Sequence, residues 1–357
     1  MASIPGAGTL DRVRKEVERN ALRARNGIAM ATGLKRTDVG LTPKDTVWSS
    51  GRAELWRYRS DEVSLKPPLL IIYSLFNKSY ILDLRPGNSV IERLVAEGFD
   101  VYMIDWGVPD ERDAENRLED YVDYYIPACI ERIQELTGTE QVNLFGYCFG
   151  GTLAMLHAAH HPESPLRSLT VLTTPADLQQ CGPMTEIMAR TDLEDVIGKD
   201  GLVPPGVIMQ GFRTLEPVGE VTTRVDLVEK LWNDDFVSAY QAMNGWATDQ
   251  VPLPGGVARQ FKKLVVENGF LKDRVYLDGD RVHLSDITVP FMHVLGLRDH
   301  IIPEPAASPL VDLVGSEDKQ ELRLDAGHVG LMLGRTAHKN TLPVVIDFLK
   351  KRSEPVS

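Results

Sequence analysis

Cysteine is scarce in this chain: Cys129, Cys148 and Cys181 are the only three among 357 residues. So odd and sparse a set cannot supply a disulfide framework, and it fits a reducing compartment. A chain of this length can bury a core without such staples. Long apolar runs are also missing. The longest, such as Leu69 to Tyr73, are far too short to cross a bilayer. The opening MASIPGAGTLDRVRKE shows no basic segment followed by an apolar one, so no signal peptide is expected. Positive charge is in deficit, with 39 Lys and Arg against 51 Asp and Glu, for a net charge of −12. That surface repels phosphate backbones and argues against nucleic-acid binding. A local basic patch would still accommodate a small anionic substrate. The expected location is the cytoplasm.

What is present is a rhythm of short apolar runs and helical stretches. Residues Leu10 to about Ala31 carry apolar Leu10, Val13, Val17 and Ala21 at helical spacing, which predicts a helix packed on the main body, or one that docks a partner or an apolar surface. From residue 52, AELWRY alternates as a strand does. PPLLIIY, DVYMIDWG, QVNLFGYC and SLTVLTT are continuous apolar runs, the mark of strands covered on both faces. Helical patterns lie between them at Ser89 to Glu97, Leu118 to Leu136 and Thr152 to His160. Strands alternating with helices predict a mostly parallel sheet with helices on both faces.

The rhythm breaks between about Leu178 and Val282, a stretch rich in Pro, Gly, Met and Trp and without evenly spaced strands. VPFMHVLG and KQELRLD then restore two strands, and Thr336 to Arg352 reads as a closing helix. The division expected is an N-terminal helical segment over 1–38, an α/β core over 39–178 and 283–357, and a cap, or lid, inserted over 179–282. With the Gly-x-Cys-x-Gly string at 146–150, which closes one of these strands, the expected fold is the α/β-hydrolase fold.

The most informative string is Gly146-Tyr147-Cys148-Phe149-Gly150-Gly151. It closes an apolar strand and opens a helix, the setting of a G-x-S-x-G nucleophile elbow with cysteine in place of serine. Such a turn is strained, and side chains two residues either side of the nucleophile would collide with backbone, hence the glycines. The N-terminus of the following helix favours a thiolate. A Gly-x-Cys-x-Gly string alone is equally a small core residue between turns; the strand–turn–helix setting is what makes Cys148 a candidate nucleophile.

The fold requires acid and histidine to follow the nucleophile in that order. Asp299 follows strand VPFMHVLG and His328 follows KQELRLD, both in loops at the sheet edge where Cys148 must lie. His300 adjoins Asp299 and is a possible auxiliary. Asp105, after an earlier strand, is a second-choice acid, and Asp325 is too close in sequence to His328 to reach it from a separate loop. His157, His160 and His161 lie along or just after the helix that follows the elbow, and are expected to face solvent or pack. His293 sits inside a strand and is expected in the core. Cys129 and Cys181 have no elbow around them. The backbone N–H groups of Phe149 and of Phe76 are the candidates for an oxyanion hole.

Several further segments carry a resemblance. VGLTPKDTVW, LLIIYSLFNKSYILDLRPGNSVIERLVAEGFDVYMIDWG, LEDYVDYYI, VNLFGYCFGGTLAML, LRDHIIP and the GHVG segment resemble, in the same order, the polyhydroxyalkanoate (PHA) synthase family, and its short class III and IV catalytic subunits above all. The likeness runs over about residues 39–350 and is strongest over 39–155. It implies an acyltransferase that polymerises (R)-3-hydroxyacyl-coenzyme A with release of coenzyme A, through a thioester on Cys148. His328 would be the general base. Asp299 would activate the incoming hydroxyl or orient His328. The resemblance implies no cofactor and no metal, since coenzyme A belongs to the substrate. It also implies a second, smaller subunit, a growing polyester, a place on the surface of polymer granules, and a possible homodimer. Val329 to Gly334, and Thr185 to Lys230, depart from the family pattern. A cysteine hydrolase of esters or thioesters would use the same elbow and triad, and a non-catalytic binding protein could use the same scaffold.

Overall fold

The computed structural model of the chain describes residues 7–32, 37–215 and 227–356. Its centre is a nine-stranded sheet. The first six strands are β1 (Lys44–Ser50), β2 (Ala53–Tyr58), β3 (Leu65–Ile72), β4 (Phe99–Asp105), β5 (Val142–Tyr147) and β6 (Leu166–Leu172). Short strands β7 (Leu202–Val203) and β8 (Leu253–Pro254) pair with each other, as do β9 (Val275–Leu277) and β10 (Asp280–Val282). β11 (Phe291–Gly296), β12 (Lys319–Leu324) and β13 (Glu354–Pro355) return to the main sheet. The order is β1-β2-β4-β3-β5-β6-β11-β12, with β13 alongside the start of β3. Pairings from β4 across to β12 are parallel, while β1–β2, β2–β4 and β13–β3 are antiparallel.

The sheet is covered on both sides, which is why its central strands β5 and β11 are buried along their whole length and largely apolar. Alternate residues of β3 serve opposite cores: Leu70 and Ile72 face one, Leu69 and Ile71 the other. Four helices precede the excursion between the two halves of the sheet: α1 (Ala7–Thr32), α2 (Val90–Ala96), α3 (Ile126–Thr137) and α4 (Phe149–His160). The longer helices within the excursion are α5 (Pro183–Arg190), α6 (Pro205–Leu215), α7 (Asp234–Thr248) and α8 (Gly255–Glu267), and α9 (Leu342–Lys350) comes after it. α3 and α4 fill the first core; α2 and α9 fill the second. Ser89 caps α2, its hydroxyl accepting from the Glu92 amide at 2.9 Å, as expected of an N-cap serine. No helix among the described residues is long and apolar enough to cross a membrane.

The structure differs from the sequence reading at several points. The helix expected over Leu118 to Leu136 is two objects. A wider π-helical turn, Asp120–Tyr125, precedes α3. Pro127 supplies a physical reason: it has no N–H to return to the carbonyl one α-turn back. The closing helix over Thr336 to Arg352 likewise begins with a π-helical turn, Ala337–Thr341, before Pro343 in the first turn of α9. Strand β1 and the β9–β10 hairpin carry no apolar run, because β1 is an edge strand and the hairpin lies off the main sheet. The N-terminal helix is anchored by its second half. The buried Asn26 amide donates to the Leu231 carbonyl at 2.7 Å and to Asp234 at 2.9 Å, while Val17 stays exposed.

Candidate active site

Strand β5 ends at Tyr147, and Cys148 adopts φ 56° and ψ −126° before α4 begins at Phe149. A non-glycine residue there costs on the order of 1–3 kcal/mol, so the surroundings must hold it. The Cys148 amide donates to the Leu172 carbonyl at 3.0 Å, and its own carbonyl accepts from Gly151 at 2.9 Å. Below the turn, Leu153, Met155 and Leu156 of α4 are fully buried, each worth roughly 1.5–3 kcal/mol. The glycines are needed for room. A Cβ on Gly150 would stand 2.2 Å from the Ile72 carbonyl oxygen, and one on Gly146 would stand 2.4 Å from the Gly151 Cα.

Asp299 and His328 arrive from the ends of β11 and β12. Parallel pairing of these strands sets the two loops side by side, and amides of Leu297 and Arg298 donate to the carbonyls of Leu324 and Ala326 at 2.8 and 3.1 Å. The Asp299 carboxylate is sealed from solvent. Its Oδ1 accepts from the amides of Ile301 and Ile302 at 2.9 and 2.8 Å. Its Oδ2 accepts from His328 Nδ1 at 2.8 Å. His328 and Cys148 line the same cavity. Burial pulls the His328 imidazole down, but the charges of Asp299 and Cys148 and the bond to Asp299 outweigh it and raise the imidazole to about 10. The Tyr147 ring lies 5.6 Å from the His328 ring.

The remaining candidates separate from this cluster. His300 is exposed and does not line the space around Cys148, so its expected auxiliary place is not supported by its position. Asp105 accepts from the Ser79 hydroxyl at 2.5 Å and the Gly107 amide at 2.9 Å, a structural use. Asp325 pairs with Arg298 at the surface, at 2.6 Å. His293 is fully buried in β11, with Nδ1 3.5 Å from Glu321. Cys129 and Cys181 are buried. Burial raises both thiols, Cys181 to about 12 and Cys129 further. Phe149 heads α4, where the first N–H groups lack intrahelical acceptors. The Phe76 amide donates to the Ser74 hydroxyl at 3.3 Å, and the two phenyl rings touch edge to face at 5.1 Å.

Two cavities meet at Cys148. One, of about 430 Å³, is lined by polar and apolar groups including Asn77, Tyr147, Arg213, Tyr240, Trp246 and His328. The other, of about 360 Å³, is almost wholly apolar, with Phe149, Ile187, Val207, Leu253, Phe261 and Ile302 in its walls. Phe212 and Ile301 belong to both. Sequence reasoning named none of the wall residues from α6, α7 and α8. The faint signal was Met209 and Phe212, three apart and so on one face of α6.

Comparison with known proteins agrees with this fold. A family profile described as the alpha/beta hydrolase fold matches residues 67–334. Among solved structures, a thermophilic esterase from Thermogutta terrifontis superposes with a TM-score of 0.51 at 16% identity, covering 89% of this chain and 99% of that one. A putative aryl esterase from Burkholderia cenocepacia gives 0.52 at 14%, covering 87% and 99%. These likenesses concern the fold alone. The class is therefore the α/β hydrolases.

Within that class the match is more specific. Residues 15–94 match a profile described as the poly-beta-hydroxybutyrate polymerase (PhaC) N-terminus. The chain is 32% identical over 348 residues to the poly(3-hydroxyalkanoate) polymerase subunit PhaC of Allochromatium vinosum, covering 96% of this chain and 98% of that protein. It is 34% identical to the subunit of the same name from Haloferax mediterranei, covering 91% and 67%. The chain belongs to the poly(3-hydroxyalkanoate) polymerase PhaC family, acyltransferase-type enzymes of polyhydroxyalkanoate synthesis built on the α/β-hydrolase fold.

Proposed function

We propose that the chain polymerises (R)-3-hydroxyacyl units from their coenzyme A thioesters, with Cys148 as the covalent carrier. The Cys148 proton resides on His328, which leaves the sulfur as the attacking thiolate. The thiolate adds to the thioester carbonyl, and the oxyanion is held by the Phe149 amide together with an amide of the Ser74–Asn77 loop. Collapse forms the Cys148 thioester and breaks the bond to coenzyme A, which leaves with the proton from His328. The hydroxyl of a second hydroxyacyl-coenzyme A then gives its proton to His328 and attacks the acyl-enzyme. An ester bond forms, Cys148 is freed, and the lengthened coenzyme A thioester reloads it with loss of coenzyme A.

The observation that carries this reading is the His328–Asp299 hydrogen bond in the same cavity as Cys148, which stands at the tip of a strained elbow. The Asp299 oxygens are engaged by two amides and by His328. That favours Asp299 as the group that orients His328, and leaves proton removal from the hydroxyl to His328. A thioester suits the task, because it passes its acyl group to an alcohol more readily than an oxygen ester does. The apolar cavity fits acyl chains; the more polar one fits the coenzyme A arm. Exclusion of water by the cap elements favours hydroxyl attack over hydrolysis.

The expected setting is the surface of polymer granules in the cytoplasm, in company with a second, smaller synthase subunit. The half-exposed α1 helix is the surface offered for that contact. The test is incubation of the native chain and of Cys148→Ala, with and without a candidate partner subunit, with 3-hydroxybutyryl-coenzyme A. Coenzyme A release with high-mass polyester from the native chain, and none from the variant, is the expected result. Free hydroxy acid as sole product would make the chain a hydrolase, and full turnover by the variant would remove Cys148 from the mechanism.

A further inference from the structure

At the far end of α4 from Cys148 lies a second cluster of chemically active side chains. His160 is the last residue of α4 and His161 follows it. Both rings converge on one oxygen of Asp123. His160 Nδ1 stands 2.9 Å from Asp123 Oδ1, and His161 Nε2 stands 2.8 Å from the same atom. The three ligand atoms all lie within 4.8 Å of one another. All three side chains keep part of their surface in solvent, between 17% and 27%.

The arrangement is built by the backbone. In the π-helical turn the Ile126 amide reaches back to Tyr121, not to Val122 as an α-helix would have it. The Val122 carbonyl is thereby released, and the buried His157 ring occupies it at 2.9 Å, with its other nitrogen 2.8 Å from the Ser164 hydroxyl. His157 thus pins the turn against α4. The next residue, Asp123, is left facing the end of the helix where His160 and His161 stand.

We propose that Asp123, His160 and His161 form a binding site for a divalent transition metal ion of the Zn²⁺ type. Imidazole nitrogen and a single carboxylate oxygen suit Zn²⁺, Co²⁺ or Ni²⁺, whereas Mg²⁺ and Ca²⁺ favour oxygen ligands. With bonds of about 2.0–2.2 Å, tetrahedral ligands stand about 3.4 Å apart. The two Asp–His contacts must therefore open by about half an ångström, which the partly exposed side chains permit. The metal replaces two N–H···O hydrogen bonds. Each neutral ring then carries its proton on the other nitrogen, and for His161 this is Nδ1, which faces Glu163 at 3.4 Å. A carboxylate holding the outer nitrogen of a metal-bound histidine is a common orienting contact. Water completes the coordination. Twelve residues of α-helix separate this site from the elbow, about 18 Å, so its role is to clamp the π-turn to α4 and not to take part in acyl transfer.

The test uses the untagged full chain, freed of metal, titrated with Co²⁺ as a spectroscopic probe and then with Zn²⁺. One equivalent of Co²⁺ should give visible ligand-field bands without a thiolate-to-cobalt charge-transfer band, and Zn²⁺ should displace it. Zn²⁺, but not Mg²⁺, should raise the thermal midpoint. Asp123→Asn and His161→Gln should each weaken binding by about tenfold or more, while the rate of Cys148 alkylation stays that of the native chain. Circular dichroism of the metal-free variants reports whether they fold; His160→Gln, which changes the residue at the helix end alone, serves if either does not. Failure of the native chain to bind overturns the proposal. So does a charge-transfer band marking Cys148 as the ligand, or unchanged binding in the folded variants.

Discussion

His328 Nδ1 donates to Asp299 Oδ2 across 2.8 Å, and the other oxygen of that carboxylate is already taken by the amides of Ile301 and Ile302. The imidazole therefore has one orientation, with Nε2 left to face the sulfur. The carboxylate has no solvent-facing surface on its side chain.

Asp299→Asn should keep the fold and lose most of the activity. The asparagine carbonyl can still accept from the two amides. Its NH₂ group then faces Nδ1 and drives the ring proton to Nε2, where it blocks removal of the Cys148 proton. Coenzyme A release should fall roughly 10³–10⁴-fold, the scale seen when a triad acid is neutralised. Single-turnover kinetics decide the role of Asp299. Loss of the first, acylating release fits orientation of His328; a normal first release with no chain growth would place Asp299 on the substrate hydroxyl instead.

The same pair makes stability depend on pH with a defined sign. Burial lowers the His328 imidazole, and the Asp299 charge and the other groups carry it up to about 10, against about 6.5 for a free histidine. Between those values the folded chain holds a proton that the unfolded chain releases. The contribution is complete below about pH 6.5 and is lost as the pH rises through about 10, by at most about 1.4 kcal/mol per pH unit. Urea unfolding of the native chain and of Asp299→Asn across this range should show their difference shrinking as the pH rises.

Mild alkylation should find one cysteine. Cys129 and Cys181 are buried and held as thiols, while Cys148 is half-buried and opens onto two cavities. Peptide mass mapping after brief iodoacetamide treatment should place the label on Cys148 alone, with coenzyme A release lost in proportion. Early labelling of Cys181 would contradict the burial described.

Gly150 and Gly151 should fail differently when changed to alanine. At Gly150 the obstacle is backbone, the Ile72 carbonyl oxygen at 2.2 Å, and nothing nearby can yield. Gly150→Ala should cost roughly 3 kcal/mol, at the upper end of overpacking, and no neighbouring substitution should recover it. At Gly151 the obstacle is the Thr174 side chain, with Oγ1 at 2.0 Å. Thr174→Ala should restore much of the stability lost in Gly151→Ala. Thermal midpoints of the singles and the double variant read this directly.

Much of the site could be read from local pattern. The elbow was legible because its glycines answer to collisions within a few residues, and because β5 is an unbroken apolar run. Asp299 and His328 were legible because parallel strands end at one edge, so loop position along the chain becomes position in space. The surroundings were not. Strand β1 mixes Lys44, Asp45, Ser49 and Ser50 with apolar residues, since an edge strand has an open flank. The cavity walls come from α6, α7 and α8, which meet only through tertiary packing. His160 and His161 read as surface histidines until the π-turn brings Asp123 to them. His300 had sequence proximity to Asp299 but points to solvent, as neighbouring loop residues often do.

The parallel sheet has one more consequence. Cys148 follows β5, but Asp299 and His328 follow β11 and β12, beyond the whole α5–α8 excursion in the chain. A nascent or truncated chain that stops before β12 carries Cys148 without His328. On the proposed mechanism such a chain holds a thiol with no base beside it, so alkylation of Cys148 in a chain cut before β12 should be slower than in the native chain.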